Sequence, residues 1–496
     1  MNESTRRQLL AEGGSWLAAG ALAPLALGRR PRRAITGSRR PPRRLRAAVR
    51  GEILSPGNPA YAAAAHVYNQ RFDGIRPRAV VRPIDSRDVR DAVAWAVAYD
   101  VPMRARSGGH SYAGYSTLNG GLVLDLRRLA GARVDRAAGL AHVGAGAQLI
   151  DVNAGLAAAG AVLPGGSCPS VGIAGVTLGG GMGLAGRALG LTCDHLVGAE
   201  IVTADGRIRS VDHRSDPHLL WALRGGGGGN FGVVTRFRFR IDRIPRRASY
   251  FFVDWPWSQA DAALAAWQAW APHARDGLTS IFHLEAAGAT RVAASGQYLG
   301  PASDLGHLLA PLRRVSGASV FAGEEGYLAA QMRFAGCTHL SRAACHTRGA
   351  APGGTLDRAS FSAGSDYVAR PPDAAGRAAL IRAVVRRAGQ PGSGAALLDA
   401  YGGRINRAHR DATAFIHRNQ LFCIQYLSYG AAPGWVAQAR AALHRHVSGQ
   451  AYQNYIDRDL AGWQRAYYGS AYPRLLEVRR RVDPDHRFAF PQAIGR

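Results

Sequence analysis

The chain has 496 residues, 62 Arg or Lys against 34 Asp or Glu, and a formal charge of +28. Hydrophobic residues at 47% and charged residues at 19% exclude a disordered chain or a coiled coil, and the length predicts two or three domains. No Lys occurs, and 12 Arg against two Glu fall in residues 1–50. The remaining Arg residues are spread without a stripe of interleaved aromatics, so the charge reads as a compositional habit, not a nucleic-acid footprint.

Arg6-Arg7 precede a mildly apolar run, Ser15 to Leu27, ending in small residues. This is the pattern of a twin-arginine export signal over residues 1–28, too short and polar for a membrane span. The export machinery is then a transient partner, the mature protein is expected outside the cell, and no stable membrane insertion is expected. Residues 29–55, with ten Arg by position 50 and Pro31, Pro41 and Pro42, read as a linker. Val80-Val81-Arg82 predicts a strand, and Asp85 or Ser86 caps a helix with Val89, Val93 and Ala96 on one face. Strands follow at Val101–Arg106 and Gly121–Leu126, then a helix at Leu149–Leu156. A hairpin turning at Asp205-Gly206 and a half-exposed strand at Phe231–Ile241 come next. Residues 56–245 form a first domain. Residues 246–446 mix strands (250–255, 291–298, 421–427) with Ala-rich helices near 257–275 and 373–389, an α+β substrate domain. Residues 447–496 return to the first domain through one helix, Trp463–Val482.

Four stretches carry chemistry. RARSGGHSYAGYS begins at Arg104 and holds Arg106, Ser107, Gly108, Gly109, His110, Ser111 and Tyr112. A glycine turn directly after a strand lets backbone N–H groups form a nest for a diphosphate. GGSCPSVGIAGVTLGGGMG begins at Gly165 and holds Gly166, Cys168, Val171, Gly172, Gly175, Gly179, Gly180 and Gly183. So much glycine lets the backbone approach a flat ligand closely. RGGGGGNFGVVT begins at Arg224 and holds Gly229, Asn230, Phe231, Gly232 and Val233; AYQNYIDRDLAGW begins at Ala451 and holds Asn454 and Tyr455. Gly181-Met182-Gly183-Leu184-Ala185-Gly186 matches the dinucleotide fingerprint, but no strand leads into it, and an NAD Rossmann domain is rejected. No metal-ligand spacing appears.

In this order the four stretches resemble the berberine-bridge-enzyme-like branch of the vanillyl-alcohol-oxidase (PCMH-type) FAD flavoproteins, from about residue 66 to 496. The resemblance implies an α+β fold: a two-lobed FAD domain, completed by the C-terminal return, with an inserted substrate domain on an antiparallel sheet. It implies FAD held covalently through His110 and Cys168. Two tethers fix the ring and favour its reduced form. It implies Tyr455 as base, with Tyr112 supporting it. A free phenol has a pKa of about 10, so such a base needs cations or hydrogen bonds that stabilise the phenolate. Asp399, Tyr401 and Gln425 are candidates for an assisting group, Asp399 and Tyr401 on one strand face. Val171 matches the position that admits oxygen. Val176 stands where family members often carry His. With Cys168 engaged, Cys193, Cys337, Cys345 and Cys423 permit two disulfides.

The implied activity is oxidation of an alcohol on a sugar, oligosaccharide or glycosylated natural product, with O2 as acceptor and H2O2 as product. Oxidative cyclisation or dehydrogenation of a natural product is the alternative on the same cofactor. An Arg-rich nucleic-acid- or surface-binding protein, expected to be colourless, and a flavoprotein without turnover are rivals of another class.

Overall fold

The computed structural model describes residues 43–430, 432 and 434–496. The export signal expected at 1–28, and the expected linker up to residue 42, lie outside the described residues. The linker does not extend to residue 55. Helix Arg43–Ala48 drives Leu45 fully into the core with Val49 behind it, and strand Glu52–Leu54 pairs antiparallel with Ala79–Arg82. Two apolar positions four residues apart make a buried stripe in spite of the surrounding arginines.

The first lobe has two main sheets beside a two-stranded pair, Ala161–Val162 with Asp242–Arg243. Strands Glu52–Leu54, Ala79–Arg82, Leu122–Asp125 and Met103–Arg106 lie in that order, the last three parallel. Asp85 caps helix Ser86–Ala98 by accepting the Asp88 N–H, and the helix buries Val89, Ala92, Val93 and Ala96. The second sheet is antiparallel: Ala132–Asp135, Leu140–Gly144, Val233–Arg240, Leu196–Val202 and Ile208–Asp212. The C-terminal return packs its Tyr467, Leu475 and Val478 into the same core. It is two helices, not one. Trp463–Tyr468 and Tyr472–Val482 are separated by a turn at Gly469, where φ is +43°, and Pro473 sits in the first turn of the second helix.

The second domain is a seven-stranded antiparallel sheet in the order Ser319–Glu325, Ala248–Trp255, Ala289–Tyr298, Leu278–Ala287, Ser393–Ala400, Phe422–Tyr429, Phe361–Val368. Helices Ala260–Trp270 and Ala374–Ala388 cover one face, packing Trp267 and Leu380 with Phe282, Leu398 and Ile424. The period of two then assigns the other face. Ile281 pairs with Asp399, Asp399 with Cys423 and Leu397 with Gln425, so alternate residues of the central strands point toward the first lobe.

Of the two disulfides the cysteine count permits, one is formed, Cys337–Cys345. Cys193 and Cys423 are buried thiols. The disulfide loop fastens the domains together. His346 Nε2 lies 2.9 Å from Asp151 Oδ2, and Arg358 pairs with Asp73. No helix among the described residues is long and apolar enough to cross a membrane.

Candidate active site

A cavity of about 1740 Å³ runs between the two domains and takes its walls from all four motifs. That exceeds the ~300–1,000 Å³ of a pocket for one drug-sized ligand, leaving room for a dinucleotide and a substrate together.

The strand Met103–Arg106 delivers the first loop. Arg106 is buried at its end and donates to Asp125 Oδ2 at 2.9 Å and to the Ala64 and His66 carbonyls. It braces the loop from behind and does not line the cavity. Ser107 Oγ donates to the Ala145 carbonyl at 2.6 Å. Gly109, at φ +74°, turns the chain so that His110 faces the cavity beneath Tyr68, the rings stacked at 4.0 Å. His110 Nε2 is 2.9 Å from Ser170 Oγ. Burial pushes the His110 imidazolium down to about 3, so the ring is neutral. In the tautomer whose Nε2–H donates to Ser170, Nδ1 keeps its lone pair for another bond.

The second loop is locked to the first by backbone-on-backbone packing. A Cβ on Gly108 would lie 2.3 Å from the Gly172 nitrogen, and one on Gly172 would lie 2.2 Å from the Gly108 nitrogen. Cys168 is exposed on this loop, facing the cavity. Glycine Gly172 then starts a short helix, Ile173–Leu178, in a run expected to be loop. Ser111, Gly166, Val171, Gly175, Val176 and Gly183 all line the cavity. Gly179 and Gly180 do not. They are close-packing positions, where a Cβ would meet Asn454 Oδ1 at 2.0 Å and the Phe415 ring at 2.8 Å.

Of the third motif, Gly229, Asn230 and Gly232 reach the cavity, whereas Phe231 and Val233 belong to the core. Asn230 ties the return segment in place, accepting from Ile494 N–H and from Arg479 Nη1 through its carbonyl. Asn454 lines the cavity and donates to the Val176 carbonyl at 3.0 Å.

At one end of the cavity stands a cluster drawn from four segments. Tyr455 donates to Asp399 Oδ2 at 3.4 Å. Tyr112 stacks on Tyr455 with ring centroids 5.7 Å apart and 5° between planes, and Gln425 Nε2 donates to the Tyr112 hydroxyl at 2.6 Å. Tyr401 is absent from this cluster. It falls one residue beyond the strand Ser393–Ala400, is fully buried, and its hydroxyl bonds to that of Tyr367 at 2.7 Å. The strand ends before its alternation carries residue 401 to the face that Asp399 shares.

The surroundings of Tyr455 do not lower its pKa. Burial and the neighbouring Asp399 and Tyr112 hold the Tyr455 phenol well above its ordinary pKa, so it stays protonated near neutral pH. Burial pushes the Asp399 carboxyl up to about 7, against the opposing hydrogen bond from Tyr455. A carboxylate of that basicity is matched to proton abstraction near neutral pH. Tyr68 and Ser170, which set the His110 ring, carried no motif of their own in the sequence. Ser170, two residues past Cys168, was legible only as a hydroxyl in a glycine loop.

Glycine walls, a neutral histidine, an exposed cysteine and a volume beyond that of one small ligand fit FAD. A family model described as FAD binding domain matches residues 77–212, and one described as berberine and berberine like matches 451–495. YgaK, an FAD-linked oxidoreductase of Bacillus subtilis (strain 168), is 32% identical over 455 residues, covering 90% of this chain and 96% of its own. The structure of BBE-like 1 from Physcomitrella patens matches with a TM-score of 0.84 at 29% identity, covering 91% of this chain and 98% of that one. A structure of glucooligosaccharide oxidase from Acremonium strictum, whose FAD is 6-S-cysteinyl and 8α-N1-histidyl, matches with a TM-score of 0.82 at 26% identity, covering 91% and 98%. This chain belongs to the berberine-bridge-enzyme-like family of FAD-linked oxidoreductases.

Proposed function

We propose that the protein is an exported oxidase carrying FAD on two covalent bonds, to His110 and Cys168. It oxidises a CH–OH group of a sugar, oligosaccharide or glycosylated natural product and reduces O2 to H2O2. The observation that carries this reading is the half-buried Asp399 carboxylate, hydrogen-bonded to Tyr455, at the end of a cavity that both tether-bearing loops line. FAD, when bound, supplies the two-electron acceptor that takes hydride from the alcohol carbon.

The chain's own residues manage the proton. Tyr455 receives the hydroxyl proton of the substrate as its own proton moves to Asp399, so no free phenolate need form. Gln425 fixes Tyr112, and the Tyr112 ring fixes Tyr455 from its face. Tyr68, Phe361 and Tyr429 add aromatic walls suited to the apolar faces of sugar rings. The neutral His110 ring supports the histidyl bond, and the glucooligosaccharide oxidase match supports both the linkage and the substrate class. Arg6-Arg7 and the Cys337–Cys345 disulfide support export to an oxidising compartment.

Acid precipitation tests the tethers. Flavin absorbance is expected in the washed pellet of the wild type and of His110→Ala and Cys168→Ala singly, and to be lost from the double variant. Flavin released from acid-treated wild type would contradict double attachment.

A further inference from the structure

Three arginines line the cavity: Arg104, Arg291 and Arg358. Two of them already have counter-ions. Arg291 donates to Asp254 Oδ1 at 2.6 Å and to Glu285 Oε2 at 2.9 Å. Arg358 pairs with Asp73 and donates to the Val67 carbonyl at 2.9 Å.

Arg104 has none. Its Nη1 donates to the Met103 carbonyl at 2.9 Å, its guanidinium carbon lies 5.9 Å from the centre of the Phe490 ring, and among the described residues no carboxylate lies within 4.0 Å. The next arginine on the strand, Arg106, is held by Asp125. The acidic residues lining the cavity, Glu285, Asp357 and Asp399, all belong to the substrate domain. Burial and the nearby Arg496 charge lower the Arg104 pKa only to about 10, so it stays cationic near neutral pH. A half-buried guanidinium with no counter-ion is costly unless an anion arrives with the ligand.

We infer that Arg104 is the side-chain cation for the diphosphate of FAD. It lies on the strand that leads into the Ser107–Gly109 turn, whose backbone is suited to the same anion. A guanidinium offers phosphate a planar fork of donors, which a glycine nest lacks. Arg104 then selects the dinucleotide over flavins without a diphosphate. The inference rests on FAD occupancy alone, so it stands or falls apart from the tethers and the alcohol chemistry.

The test uses full-length protein carrying His110→Ala and Cys168→Ala, so that binding is reversible, stripped of flavin and titrated with FAD and with riboflavin by fluorescence quenching. Adding Arg104→Gln is expected to weaken FAD binding by about 10- to 100-fold, the range for hydrogen bonds to a charged group, and to leave riboflavin binding unchanged. ADP, by its inhibition constant against FAD, should bind the Gln variant more weakly by a similar factor, and Arg104→Lys should recover part of the FAD affinity. Unchanged FAD affinity would overturn the inference. So would equal weakening of FAD and riboflavin, or a lowered melting temperature of the flavin-free Gln variant that accounts for the loss.

Discussion

Replacing Asp399 with Asn is expected to lower kcat by about 10²- to 10⁴-fold, the usual worth of a positioned general base, while the flavin stays bound. The amide cannot take the proton that Tyr455 passes on, and Tyr455 cannot replace it because its surroundings hold the phenol protonated. The pH dependence gives an independent sign. With the Asp399 pKa pushed up to about 7, the group is a base only once deprotonated, so the wild-type kcat/KM should rise with pH through about 7. That limb should vanish in Asp399→Asn. An unchanged profile with an unchanged kcat would place the base elsewhere.

Replacing Gly172 with Ala is expected to part the two loops that carry His110 and Cys168. The added carbon would sit 2.1 Å from Ser107 Oγ and 2.2 Å from the Gly108 nitrogen. The hydroxyl can rotate away, but the backbone nitrogen cannot. Overpacking of this kind costs about 1–3 kcal/mol, visible as a lower melting temperature. The functional loss should be larger than the thermal one. His110 is oriented through Ser170, on the loop that would move, so the acid-stable flavin per chain should fall well below that of the wild type. A variant that melts lower yet keeps its full complement of acid-stable flavin would show that the two loops need no common register.

The sequence made the site's membership legible and left its electrostatics out of reach. His110 and Cys168 sit beside glycines in two of the motifs, and both reach the cavity. Arg106, Gly179, Gly180, Phe231 and Val233 lie in the first three motifs but support the cavity from outside, because a motif does not say which of its residues turn inward. Tyr401 was misplaced by one residue of strand length. The role of Tyr455 depended on its neighbours across two domains, and their net effect raises its pKa where a base would need it lowered. Leu45 and Val49 were hidden among arginines, and Gly469 ends a helix whose apolar spacing runs on past it. Each of these is a tertiary fact that no local spacing carries.

Anaerobic mixing of the purified protein with a panel of oligosaccharides and simpler alcohols tests the central claim most directly. Bleaching of the flavin absorbance by at least one of them, with recovery and one equivalent of H2O2 per product when oxygen is admitted, is the expected result. The same substrate should bleach Asp399→Asn more slowly by about 10²- to 10⁴-fold. A yellow protein that no sugar or alcohol bleaches, or a wild type and Asp399→Asn that bleach at one rate, would contradict the account.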